Sequence, residues 1–155
     1  MNKFLLSVHV LAAIVFVGPV TVAASMFPPL ARRTLASDHP ETGVLRMLHR
    51  ISRGYAIGGL TVPVFGLAVG AGLGVLGDYW LIISMVLTLA AAGVLAFVVL
   101  PGQGRVLAAA DASREVREDL LPQAKALSMT TGIFALLWAV VVVLMIVRPG
   151  STTGV

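Results

Sequence analysis

One ionisable side chain, His9, falls inside an uninterrupted apolar run, residues 4–26. A neutral imidazole surrounded by hydrocarbon can hold a metal, ligate haem iron or relay a proton. Counting from residue 4 at 1.5 Å per residue, His9 lies ~8 Å below the edge of the run. A second ligand must share that depth. Met85, in the apolar run 79–101, and Met145, in the run 126–147, fall in the same half of the membrane, whereas His39 and His49 fall at the opposite side. The spacing therefore allows His/Met haem ligation by His9 with Met85 or Met145, a five-coordinate haem b on His9 alone, or another metal on His9. It excludes a pair of histidines from one chain. A purely structural role is the first alternative to weigh: His9 hydrogen-bonded across the bundle to Ser84, Thr88, Tyr79 or Asp78, with the methionines as ordinary apolar filler.

The elements that must position these residues are four apolar stretches, 4–26, 54–76, 79–101 and 126–147, none interrupted by a charged side chain. Each is close to the ~20 residues that a helix needs to cross a bilayer. The chain has 155 residues, 58% of them hydrophobic and 12% charged, with mean hydropathy +0.98. About a quarter charged is usual for a soluble domain, so the composition points the same way. The expected fold is all-α: a polytopic four-helix membrane bundle forming a single domain over residues 1–155. Cysteine is absent, which excludes disulfides, thiolate metal sites and cysteine nucleophiles.

Lysine and arginine are unevenly shared. The connection 27–53 holds Arg32, Arg33, Arg46, Arg50 and Arg53, and the connection 102–125 holds Arg105, Arg114, Arg117 and Lys125. The opposite side has Lys3 and Arg148. Cations stay on the cytoplasmic side, so both long connections are expected inside and both termini outside. Lys3, the apolar run after it and Val22-Ala23-Ala24 imitate a signal peptide. The run is longer than such a segment needs, and cleavage would export five arginines, so the first stretch reads as a true span. Pro28-Pro29 is expected to end it, with Arg32, Arg33, Arg46, Arg50 and Arg53 at anionic lipid headgroups. Lipid, rather than nucleic acid, is the partner that a net charge of +4 implies here.

Both cytoplasmic connections carry amphipathic segments suited to the inner interface. In the first, Thr42 is placed to cap a helix running into the second span, with Val44, Leu48, Ile51 and Tyr55 on one stripe. In the second, Val116, Leu120, Ala124 and Leu127 form an apolar row beside an Arg114–Glu118 pair. Gly18-Pro19 and Pro63 predict bends. Gly77-Asp78 predicts a tight turn, and the tail from Gly150 reads as flexible.

Positions 54, 58, 62, 66, 70 and 74 read Gly54, Gly58, Val62, Gly66, Gly70 and Gly74, one row of a helix face. In lipid, helices associate where small residues let backbones approach. This row predicts a packing seam, either within the chain or with a second copy, and it could also accept a flat ligand. No buried carboxylate pair, HExxH, phosphate-cradling loop or Ser/His/Asp set can be assembled in one leaflet. The first functional reading is thus a non-enzymatic accessory or structural subunit, or a homo-oligomer, packing through the glycine face. The second is a b-type haem or metal-binding redox protein with His9 as axial ligand. The third is a proton- or ion-handling component of a transport complex.

The segment Leu5-Leu6-Ser7-Val8-His9-Val10-Leu11-Ala12-Ala13, followed by Phe16-Val17-Gly18, resembles the first helix of an uncharacterised family of predicted bacterial membrane proteins related to copper-resistance D domains. It is distantly similar there to histidine-dependent membrane protoporphyrinogen oxidases. The resemblance implies four membrane helices in a bacterial inner membrane, with His9 at the position that binds haem b or copper. The lysine that those oxidases use in a later membrane helix has no counterpart in these spans, so that reaction is not carried over.

Overall fold

A computed structural model describes residues 2–150, so the tail 151–155 lies outside the described residues. The described chain is helical, without strands. Four long helices are apolar enough to cross a membrane: α1 (Lys3–Ala36), α2 (Gly43–Leu73), α3 (Tyr79–Ala110) and α4 (Arg114–Val147), of 34, 31, 32 and 34 residues. At 1.5 Å per residue these rods are ~46–51 Å long, against ~30 Å of hydrocarbon. Each therefore carries about 11–14 residues beyond the bilayer core.

The surplus lies at the end where the cations are, the inner end of the bundle; the opposite end, with the turn at 74–78, is the outer end. Going inward from the outer end of α2, the first cation is Arg53, 73 − 53 = 20 residues along, or ~30 Å. In α4 it is Lys125, 147 − 125 = 22 residues along, or ~33 Å. The expected cytoplasmic connections are thus mostly helix, with turns at 37–42 and 111–113 and a single turn residue at Leu120. The amphipathic segments exist, but as continuations of the spans. Most of their apolar stripe faces the bundle, with Leu45 and Leu48 buried in α2 beside the polar Ser52, and Ala124 and Leu127 buried in α4, whereas Val44 and Val116 are exposed.

Pro28-Pro29 does not end α1, which runs on to Ala36. A proline inside a helix removes a donor and crowds the preceding turn. Here tertiary burial outweighs that cost: Phe27, Pro28, Ala31 and Leu35 are fully buried against Leu45, Leu48, Val106 and Leu127. The other prolines do leave marks. The turns Ala13–Val17 and Val94–Val99, just before Pro19 and Pro101, are π-helical. Helix α2 loosens at Leu60, before Pro63, and α4 at Leu120, before Pro122. Helix α2 stops at Leu73, earlier than its apolar run, because Gly74 turns left-handed at φ 71°.

The two halves of the bundle pack differently. In the inner half all four helices interlock around Phe27, Leu35, Leu45, Leu48 and Val106. Arg117, 8% exposed, joins the two inner turns by donating to the carbonyls of Ala112 (3.2 Å) and Ser37 (3.1 Å). Arg46–Asp111 (2.7 Å) and Arg114–Asp38 (2.8 Å) cross the same turns, and the expected Arg114–Glu118 pair forms at 2.8 Å. The hydrogen bond that Arg114 donates to Glu118, then the charges of Asp38 and Glu118, raise the Arg114 pKa above its already high ordinary value. In the outer half α1 packs chiefly on α2 and α3 chiefly on α4, so the helices form two pairs. A space is left between them.

Candidate functional site

That space is a cavity of about 490 Å³, lined by residues of all four helices and by Val75 and Arg148. It falls within the ~300–1,000 Å³ range of small-molecule and cofactor sites, which in bundles form between helices. His9, Met85 and Met145 all line it, so the three residues matched by depth do meet around one volume. Trp80 and Trp138 contribute aromatic walls, and Arg148 is the one charged residue in the lining among the described residues. Toward the inner end, Trp138 stacks edge-on against Phe134 (6.5 Å between centroids), and Phe16 lies 6.2 Å from Tyr55. Of these rings Trp138 lines the cavity, and Phe16, Tyr55 and Phe134 line a smaller space beside it. Between α1 and α4 the cavity is open, since Ile14 and Ile146 line it while remaining 64% and 73% exposed.

His9 is 8% exposed, and its Nδ1 stands 3.0 Å from the backbone carbonyl of Val62. A carbonyl only accepts, so Nδ1 carries the proton and Nε2 keeps its lone pair. Nε2 has no partner among the described residues. The expected side-chain partners are corrected here. Ser84 and Thr88 donate back to their own helix, to the carbonyls of Trp80 and Ser84, and Asp78 accepts from the Trp80 indole at 3.0 Å. A hydroxyl on a helix readily bonds the carbonyl one turn back, which removes both from reach as partners.

Gly66 makes the carbonyl of Val62 accessible. A Cβ on Gly66 would stand 3.0 Å from His9 Cε1, so the imidazole occupies the groove that the absent side chain leaves. The glycine row is filled from within the chain at three positions. Phe16 lies over Gly58, His9 over Gly66, and Leu81 and Leu76 over Gly70. Gly54 and Gly74 have open space where a Cβ would stand. Sequence spacing gave the row but not its occupants, and it gave no role at the cavity to Val62, Trp80, Trp138 or Arg148. Nothing local in the sequence sets those four apart.

A bare metal ion needs several protein donors, and no group of three or more His, Cys, Asp or Glu side chains is assembled among the described residues. A lone imidazole with a free Nε2 instead suits a metal that brings its own equatorial donors. The second polar cluster, His49 Nδ1 at 3.0 Å from Gln103 Oε1 with Ser52 beyond, lies in the inner half, away from His9. The basic residues expected at lipid headgroups sit on the inner part of the helices, with Arg46 engaged to Asp111.

The model of a protein family described as predicted integral membrane protein (DUF2269) matches residues 3–149. No curated protein and no solved structure matches the chain. The match covers nearly all of the sequence, and the chain belongs to that family.

Proposed function

We propose that this member of the DUF2269 family of integral membrane proteins binds a metallotetrapyrrole, a b-type haem, in its outer cavity, with His9 Nε2 as axial ligand. The observation that carries this reading is the imidazole itself. It is buried, oriented by a backbone carbonyl, seated on a glycine, and left with a free nitrogen at a large apolar cavity. Ligating histidines characteristically donate their other ring proton to a carbonyl or carboxylate, which fixes the tautomer. Bound haem would supply one-electron redox chemistry; His9 Nε2 and the thioether of Met85 or Met145 would hold it, within an apolar enclosure.

The protein is placed in a bacterial inner membrane, with both ends outside and the turns 37–42 and 111–113 in the cytoplasm. Arg53 and Lys125, each about 30 Å from the outer helix ends, support that orientation through the preference of cations for the cytoplasmic side. In this arrangement the haem lies near the outer face. The accessory-subunit reading keeps only Gly54 and Gly74 of its row for a partner, since the other three glycines serve contacts within the chain.

The test is the visible spectrum of detergent-purified protein from haem-replete cells, before and after dithionite. The expected result is a Soret band with a sharpened α band on reduction, absent in His9→Ala of unchanged size and helicity. A colourless wild-type protein that takes up no added haemin overturns the proposal.

A further inference from the structure

Among the described residues, the lining of the outer cavity holds one charge and no counter-charge. Arg148 closes its outer end, the rest of the lining is apolar or neutral, and no carboxylate lies within 4.0 Å of the guanidinium among the described residues. The backbone directs this side chain. Arg148 caps α4 in the left-handed conformation (φ 44°), its N–H bonded to the Leu144 carbonyl at 2.9 Å. Glycine is the ordinary residue at such a position, because a Cβ is disfavoured there. An arginine held here turns its side chain back over the bundle end. Its guanidinium stacks 5.4 Å from the centre of the Trp80 ring, and Nε donates to the Met145 carbonyl at 3.3 Å. Its two terminal nitrogens have no protein partner among the described residues. A rigid, stacked guanidinium with free terminal donors reads carboxylates well.

We infer that Arg148 is a ligand-reading residue, and that the occupant of the outer cavity is an amphiphilic acid. Its apolar body lies against Trp138 and His9, and its carboxylate edge stands outward at Arg148. This rests on the His9 reading and deepens it, because it specifies a tetrapyrrole with free acid side chains and fixes which edge points out. His9 sits six residues below the first residue of α1, ~9 Å along the helix, and Arg148 lies at the same end of the bundle.

The test titrates the full-length, detergent-solubilised protein with haemin, which has two free carboxylates, and with haemin dimethyl ester, which has none. The quantity read is the ratio of the two dissociation constants, compared between wild type and Arg148→Gly. Glycine suits the left-handed cap, so this variant removes the guanidinium without straining the helix end. The expected result is a ratio favouring the diacid about tenfold more in wild type than in Arg148→Gly, the scale of one charge-assisted hydrogen bond. The Soret position should not move, because His9 still ligates. Arg148→Lys should restore part of the preference. An equal ratio in wild type and Arg148→Gly overturns the role of Arg148 and leaves His9 ligation standing. If neither porphyrin binds wild type, both readings fall. His9→Ala separates them, since it should abolish binding of both porphyrins.

Discussion

Replacing Gly66 by leucine puts a side chain where the His9 ring now stands, 3.0 Å from an added Cβ. Overpacking of this kind costs about 1–3 kcal/mol, and here it also pushes the imidazole off the Val62 carbonyl. Gly66→Leu is therefore expected to lose bound haem and melt earlier in detergent, while Gly66→Ala keeps the haem after a shift of a few tenths of an ångström. Absorbance and thermal melts of the purified variants check both. The depth of His9, Met85 and Met145 was legible in the sequence, because residue count along a helix is distance. Val62 and Gly66 as the seat of the ring were not. Their role depends on how α2 is rotated against α1, a tertiary phase that periodicity leaves free. Arg148 was hidden for another reason: an arginine after a span reads as an ordinary headgroup anchor, and only its left-handed φ shows that it turns back.

Helix positions show where composition misleads. Four spans were plain from hydropathy, but the stretches after Pro28-Pro29 and Pro101 read as connections because prolines and charges crowd them. Burial of Phe27, Leu35 and Leu48 keeps the helices going. Phe27 lies 27 − 3 = 24 residues from the outer end of α1, ~36 Å, beyond the hydrocarbon, where water makes apolar burial strongly stabilising. Phe27→Ala is expected to cost about 3–5 kcal/mol, as large aromatic truncations in cores do. Arg117→Met, which frees the carbonyls of Ser37 and Ala112, should cost about 1–3 kcal/mol. Asp111→Asn, which breaks the exposed pair with Arg46, should cost under about 1 kcal/mol. Denaturant melts of the three variants test this order, and amide exchange should place the Arg117 effect at the turns 37–42 and 111–113.

At the scale of the whole molecule, the bundle is tight and ion-paired at its inner end and parted at its outer end, where Arg148 is the only lining charge among the described residues. The orientation in the membrane can be tested cleanly because the chain has no cysteine. A cysteine at Ser113 should react with an impermeant maleimide only in inverted vesicles, and one at Gly77 only in intact spheroplasts; the opposite pattern reverses the orientation. The central claim, that His9 Nε2 holds a haem iron in the outer cavity, is tested most directly by chemical rescue. His9→Gly removes the ring and leaves its space, so the purified variant is expected to be colourless and to take up haem, with a restored Soret band, when free imidazole is supplied. Haem content and spectrum unchanged in His9→Gly without imidazole would contradict the account.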